Sequence, residues 1–308
     1  MTGQTSRLEA LARSGRFCVT AEVVPPRAAD GDAVTQQARA LVGVADAANV
    51  TDNPRASAHM SPVAGSAFVA AAGLEPIIQL ACRHRNRLAL TADLLGAWAL
   101  GARNVLCLTG DRVAAGDHPE AAEVDDLSVE ELVALVSRLR DTGALPNGAQ
   151  VTAPPRYFVG VADSPLAEPY DPARLESKLD AGAGFVQTQI VYDLEALGGW
   201  AETVGARGVF ERAVVIVGVA PLRSARQARF LNERVPGVAV PSALIDELEA
   251  AGDRAADVGV TRCIEVVRRL HDLPGIAGVH VMGMGHEEGV RRVIEGAGLL
   301  PRPAEVAS

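Results

Sequence analysis

Aromatic residues are scarce in this chain: six Phe, three Tyr and two Trp make up 4% of 308 residues. With so few large rings, the 48% hydrophobic content rests on Ala, Val and Leu. That suits parallel strands covered by helices and argues against an aromatic-rich β sandwich. Cysteine is equally sparse. Cys18, Cys82, Cys107 and Cys263 are far apart and form no C-x-x-C pair, so they read as buried free thiols in a reducing compartment, not as a metal site. No block of Lys and Arg with interleaved aromatics occurs, which leaves a nucleic-acid role without support. The formal net charge of -9 mainly favours solubility. No apolar stretch approaches the ~20 residues of a membrane span, and the polar start from Met1 to Arg7 lacks the apolar core of a signal peptide. The expectation is a cytoplasmic protein with no membrane or nucleic-acid partner. Lysine is almost missing: Lys178 is the sole one, and every other basic side chain is arginine. A compact ammonium and a planar guanidinium are not equivalent in geometry, which makes that one position notable.

What the chain does contain is a series of short, β-branched apolar runs without polar alternation, the mark of strands covered on both sides. They fall at 17–24, 46–50, 76–82, 104–108, 156–161, 185–191, 213–219 and 276–282. Helix-like segments lie between them, at 32–44, 87–101, 127–142, 171–180, 194–205, 224–234, 241–251, 255–271 and 287–296. Ser128 and Glu131 have the spacing of a capping box. Asp171 followed by Pro172 reads as a helix start, and Gly182 and Gly184 as its stop. About eight βα pairs are the arithmetic of an α/β fold of the (βα)8 TIM-barrel type. The rival, a doubly wound sheet, lacks a G-x-G-x-x-G after the first strand. The expectation is one barrel domain over 1–308, with 1–14 and 301–308 as peripheral ends. The polar segment 109–126 is long enough to be functional or disordered.

Barrel enzymes place chemistry at the C-terminal ends of their strands. Glu22 is an acid inside the first run. Desolvation there would raise its pKa and suit it to act as a general acid; alternatively it is an edge carboxylate paired with Arg27 or another arginine. Strand two ends in Asn49-Val50-Thr51-Asp52-Asn53-Pro54 and strand three carries Gln79, with His84 among arginines beyond it. Strand four runs into Thr109-Gly110-Asp111. Strand six holds Gln187-Thr188-Gln189, where alternation puts the two amides on one side, in need of partners. His286, in the turn before the last helix, is read as a cap.

Taken in order, these strand ends resemble methylenetetrahydrofolate reductases over about residues 17–298. Glu22-Val23-Val24-Pro25-Pro26-Arg27 is similar to the family's E-x-x-P-P-[KR] opening, Val50-Thr51 to its V-T, and Leu108-Thr109-Gly110-Asp111 to its L-R-G-D. The stretch from Lys178-Leu179-Asp180-Ala181-Gly182-Ala183 to Thr188-Gln189 keeps the spacing of K-x-D-A-G-A…T-Q. The long phrases at 49–54, 74–87 and 104–119 look closer to a short subfamily of one-carbon and methyl-group catabolism. The resemblance implies a flavin-dependent reductase interconverting 5,10-methylenetetrahydrofolate and 5-methyltetrahydrofolate. Glu22 and Asp111 are its implied catalytic pair. Thr51, Gln79, Thr109, Gly110, Asp111, Asp171 and Lys178 are implied to bind flavin, with FAD favoured over FMN, and Gln189 and Tyr192 to meet the folate. A homo-oligomer is expected. Three positions depart from the pattern. Thr109 replaces an arginine, Gln79 stands where many members have a histidine, and Pro221-Leu222-Arg223-Ser224-Ala225 ends without the ring that packs on nicotinamide. NAD(P)H as direct donor is therefore one expectation and an electron-transfer partner subunit another. A pterin-binding methyltransferase barrel is the remaining alternative.

Overall fold

Eight parallel strands close on themselves in sequence order, β1 through β8. In the computed structural model, which describes residues 5–303, they are β1 (Cys18–Val23), β2 (Ala47–Val50), β3 (Glu75–Ala81), β4 (Asn104–Leu108), β5 (Phe158–Asp163), β6 (Phe185–Ile190), β7 (Val214–Val219) and β8 (Ile276–Val281). Each coincides with one of the eight apolar runs. The helices are α1 (Arg7–Arg13), α2 (Gly31–Leu41), α3 (Pro62–Ala71), α4 (Arg87–Ala99), α5 (Val129–Thr142), α6 (Pro172–Asp180), α7 (Leu194–Gly205), α8 (Val209–Arg212), α9 (Ala225–Arg234), α10 (Ser242–Ala251), α11 (Ala255–Leu270) and α12 (Glu287–Gly296). The fold is a single TIM barrel.

Local chemistry sets the helix starts. Ser128 accepts from the Glu131 amide while the Glu131 carboxylate takes the Ser128 amide, closing the capping box on α5. Asp171 accepts from the Ala173 amide ahead of Pro172 on α6. Three helices were not foreseen. α3 is built of small residues and carries Gly65, which weakens its periodic signal. That glycine has a packing reason: a Cβ there would lie 2.8 Å from Val50, so α3 can sit close against β2 only without one.

Strand alternation sorts the core. Val19, Ala21, Val23, Ala48, Val50, Ile78, Leu80, Val159, Val161, Val217 and Val279 pack outward against the helices. The intervening residues Cys18, Ala47, Ile77, Leu106, Phe158, Phe185 and Ile216 fill the barrel's base. Phe185 lies over Gly160, where a Cβ would be 2.0 Å from its ring.

Helix α1 plugs that base. Leu8 and Leu11 are fully buried in the same cluster. The Glu75 carboxylate receives the Arg7 and Leu8 amides at 2.7 and 3.0 Å, and Asn104 at 2.7 Å. An acid at a helix N-terminus satisfies orphan donors and complements the dipole. Residues 6–13 were expected at the periphery; they are instead part of the core, because the barrel's lower opening is apolar and must be covered. At the other end of the chain Arg302 pairs with buried Asp46 at 2.6 Å, and residues 304–308 lie outside the described chain.

Replacing Leu11 with Ala should lower the unfolding free energy by about 2–5 kcal/mol, as for other buried Leu-to-Ala changes. Urea denaturation checks this. An unaltered midpoint and slope would show that α1 does not contribute to the core.

Candidate active site

Two residues above the apolar base, the inward positions turn polar. Thr20 and His280 are register partners on β1 and β8, and Thr20 Oγ1 lies 2.9 Å from His280 Nδ1. Across the barrel, Asn49 Nδ2 donates to Gln187 Oε1 at 3.0 Å. All four residues are buried. This pairing supplies the partner that Gln187 required. Burial pushes the His280 pKa down to about 3, so the ring is neutral.

One step higher, at the C-terminal mouth, stands Glu22. Its carboxylate accepts from the Met284 amide at 3.2 Å. It has no ion pair among the described residues: Arg27, the alternative partner, pairs with Asp117 at 2.6 Å. Glu22 keeps a partial opening to solvent, yet the protein packed around it makes desolvation the main influence. Desolvation raises its pKa, the Met284 N–H opposes this, and the charge of Glu287 adds to it. A carboxyl whose pKa is raised holds its proton to higher pH and is better placed to deliver it.

The other strand ends gather around it. Thr51 follows β2, buried, and among the described residues its hydroxyl has no hydrogen-bond partner; Asn49 Oδ1, two positions earlier, likewise has none. Unpaired buried polar atoms cost about 1–3 kcal/mol each, so these two are suited to meeting a polar ligand. Gln79 is half-buried near the end of β3. Gln189 sits at a register shift between Gln187 and Ile190. There Thr188 Oγ1 takes the Gly218 amide at 2.9 Å, and Gln189 Oε1 takes the Ile190 amide at 2.9 Å. The simple alternation expected of 187–189 is broken by this bulge, which re-aims the side chains next to the mouth.

Thr109, Gly110 and Asp111 begin the long 109–126 loop, and Thr109 and Asp111 are exposed. Asp111 Oδ2 accepts from the Arg55 amide at 2.6 Å. Arg55 and Ala56 both have positive φ, 57° and 52°, and Asn53 has φ 46°. Non-glycine residues in this region carry strain that the surroundings must hold, and Asp111 supplies one of the holds. Asp117 supplies another, accepting from the Ala58 amide at 3.1 Å while pairing with Arg27. The long loop is thus a strap bonded to the 53–58 turn.

Asp171 and Lys178 do not meet. Asp171 is the N-cap of α6, while Lys178 Nζ donates to the Ala162 carbonyl at 2.7 Å. Burial lowers the Lys178 pKa, and the charge of Asp163 opposes that shift. Tyr192 turns toward a second apolar cluster containing Ala220, Leu222 and Met284, with its hydroxyl on the Ala220 carbonyl at 3.1 Å. His84 Nε2 lies 3.3 Å from the Asp111 carbonyl, so it braces the strap. His286 occupies the N-cap position of α12 without a side-chain cap bond, contrary to expectation. All four cysteines are buried and free. Among the described residues no helix is long and apolar enough to cross a membrane. The residues the sequence reading missed are His280 and Met284. His280 was findable as an inward-parity polar residue in an apolar run, whereas the Met284 amide is a backbone group with no residue-type signal.

A TIM barrel with a desolvated acid and amides at its mouth defines the class. The family follows from comparison: the methylenetetrahydrofolate reductase family profile matches residues 7–298, and the chain belongs to that family. It is 25% identical over 257 residues to "Probable methylenetetrahydrofolate reductase (NADPH)" of Caenorhabditis elegans, covering 79% of this chain and 36% of that protein. It is 28% identical over 237 residues to methylenetetrahydrofolate reductase 2 of Schizosaccharomyces pombe, covering 73% and 36%. The chain therefore spans little more than a third of the length of these eukaryotic relatives. With 5,10-methylenetetrahydrofolate reductase of Pectobacterium carotovorum it shares 24% identity over 274 residues, covering 83% and 82%. Among solved structures, an uncharacterized Clostridium thermocellum protein that binds two copies of 5-methyl-5,6,7,8-tetrahydrofolic acid matches with TM-score 0.63 and 12% identity, over 94% of this chain and 97% of that one. An EDTA monooxygenase from Chelativorans sp. BNC1 matches at TM-score 0.58 and 13% identity, over 95% and 96%. These two likenesses concern the fold.

Two outcomes test the site's physics. The unfolded chain protonates His280 near 6.5, the folded one near 3. Its contribution to stability is therefore complete above pH 6.5 and is lost as pH falls from there toward 3, by at most about 1.4 kcal/mol per pH unit. His280→Gln should flatten the pH dependence of urea unfolding between pH 7 and 5; an unchanged slope would rule His280 out as its source. Asp111→Ala should free the Arg55 amide. Hydrogen exchange at 55–58 should then quicken about 10-fold or more, the equivalent of a ~1.4 kcal/mol loss of local stability. Wild-type protection there would mean the strap is held by other contacts.

Proposed function

We propose that this chain is a flavin-dependent methylenetetrahydrofolate reductase that interconverts 5,10-methylenetetrahydrofolate and 5-methyltetrahydrofolate. The observation that carries the reading is Glu22: a desolvated acid at the barrel mouth, without an arginine partner, in a chain of this family. Glu22 donates its proton to N10 of the folate, opening the five-membered ring to a 5-iminium cation. The carboxylate of Asp111 stabilises that cation. Its Oδ2 bond to the Arg55 amide fixes its position, and a fixed charge needs no reorganisation as the cation forms. Gln189 orients the pterin, its Oε1 held by the Ile190 amide, and Tyr192 backs that side of the mouth. The folate-binding structural neighbour is consistent with this substrate class.

The residues fit a flavin at the folate-facing end of the site, where the buried, unpartnered Thr51 hydroxyl lies. Thr51, Gln79, Thr109, Gly110, Asp111, Asp171 and Lys178 would hold it, with FAD favoured over FMN. When bound, the flavin supplies the hydride. The donor that reduces it is a separate question, and one observation favours a second reading there. Ala225, where the family pattern places a nicotinamide-stacking ring, is a small buried residue in the apolar cluster around Leu222. That favours an electron-transfer partner subunit as donor over NAD(P)H stacked on an aromatic ring.

Glu22→Gln should slow reduction of 5,10-methylenetetrahydrofolate by about 10²-fold or more, the contribution typical of a general acid. Flavin reduction should be spared. Stopped-flow kinetics on protein reconstituted with FAD reads both steps. Folate turnover at the wild-type rate would remove Glu22 from the mechanism, and failure to bind either FAD or FMN would remove the flavin.

A further inference from the structure

The turn that follows β8 carries an unexpected residue at its centre. The Gly283 carbonyl accepts from the His286 amide at 3.1 Å, and both residues between them have positive φ, 50° at Met284 and 79° at Gly285. Turns of this mirror-image kind are built from glycine, asparagine and aspartate, because other L-residues enter the left-handed region at a cost. Gly285 meets that requirement and Met284 does not. Its long side chain is held from outside the turn instead. It packs against the apolar cluster containing Ile190 and Leu222, and its Sδ lies 3.3 Å from Gln227 Nε2. Gln227 is itself fixed on the first turn of α9. Its Oε1 accepts from the Arg223 amide at 2.8 Å, and its own amide donates to Ser224 Oγ at 3.1 Å.

This backbone has a directional consequence. The turn's own bond uses the Gly283 carbonyl and the His286 amide, so the Met284 N–H is free to leave the turn, and it donates to Glu22 Oε1 at 3.2 Å. Among the described residues no other hydrogen bond reaches that carboxylate. The charged and titratable groups nearby are turned elsewhere. Arg27 pairs with Asp117, and Asp111 accepts from the Arg55 amide. The His286 ring lies over Gly289, where a Cβ would be 2.6 Å from it, and His280 is neutral one layer below. Glu287, at the start of α12, is the charged neighbour whose field acts on Glu22, and it favours the protonated acid. The Met284 N–H works the other way, since an N–H aimed at a carboxylate favours the charged form. That influence lasts only while Met284 stays left-handed.

We propose that Met284 is a positioning residue for the acid: resting on the reading of Glu22 as proton donor, its left-handed backbone holds the Glu22 carboxyl in place for proton delivery, and its side chain is the anchor that keeps the backbone there. Strain of this kind persists only where the surroundings hold it, and here the cluster and Gln227 do so. The acid on β1 is thereby tied through one turn to the packing of α9.

The test separates backbone from side chain. Met284→Val keeps an apolar side chain but is β-branched and disfavours positive φ, whereas Met284→Asn discards the apolar contact and enters the left-handed region readily. Met284→Ala lacks both the anchor and the left-handed preference, and carries the test if circular dichroism shows that Met284→Val does not fold. The Glu22 carboxyl is titrated by carbon-13 NMR in the whole chain with neither folate nor flavin present, its resonance assigned by its loss in Glu22→Gln. Removing the N–H takes support from the carboxylate, so the midpoint should rise. The expected rise is about one pH unit in Met284→Val and Met284→Ala, the size of one hydrogen bond to a charged group, with no rise in Met284→Asn. In folate reduction, the limb where the rate falls with rising pH should move up by the same amount. An unmoved midpoint in Met284→Val and Met284→Ala would overturn the proposal. So would a shift in Met284→Asn as large as theirs, because a packing role alone predicts that the loss of the apolar contact matters most. A shifted midpoint with an unshifted rate profile would uphold the hold of Met284 on Glu22 and overturn instead the reading of Glu22 as the proton donor.

Discussion

Everything at this site depends on the two-residue period of eight strands closed into one barrel. Parity decides which residues face the helices and which face the axis, and closure forces the axial ones into layers. Reading upward along β1, Cys18 joins the apolar base, Thr20 bonds the neutral His280, and Glu22 emerges at the mouth. The acid therefore stands above a buried polar layer, itself above an apolar plug completed by Leu8 and Leu11. Water reaches it from one side only, and that geometry is what raises its pKa.

The mouth is shaped by loops that hold one another. The turn after β2 has backbone angles that L-residues adopt at a cost, and it is stabilised from outside by Asp111 and Asp117 of the loop after β4. Arg83 reinforces the strap from the β3 side, its amide and guanidinium donating to the carbonyls of Thr109 and Gly110. Asp111 thus stands at the centre of a structural network as well as beside the proposed cation. A charge anchored this way is preorganised, and preorganisation makes an electrostatic contribution to rate possible. The same network fixes where the side chain of Arg55 begins.

The two halves of the mouth differ in character. One half is polar and built from residues at or just beyond the strand ends, Glu22, Thr51, Gln79 and Gln189. The side formed after β7 is apolar beneath, with Ala225 and Leu222 buried, and cationic above, with Arg223 and Arg226 exposed. A ring that stacks on a nicotinamide has no counterpart at Ala225.

The apolar runs determined the eight strands and hence the barrel, because parallel strands covered on both faces must be apolar almost throughout. Capping residues such as Ser128 and Asp171 marked helix starts, since their signal lies within four residues. The ordered strand-end motifs placed Glu22, Thr51 and Gln189 on one rim. Short-range pattern could not show α1 as the plug, because seven residues carry little periodicity and their burial depends on an opening formed by strands up to about 200 residues away. Nor could it choose between Arg27 and burial as the fate of Glu22. That choice required knowing that Asp117, ninety residues on, takes Arg27. The bulge at Thr188, the capture of Asp111 by the Arg55 amide and the reach of the Met284 amide to Glu22 are likewise products of closure. Each is a contact between residues whose distance in sequence says nothing about their distance in space.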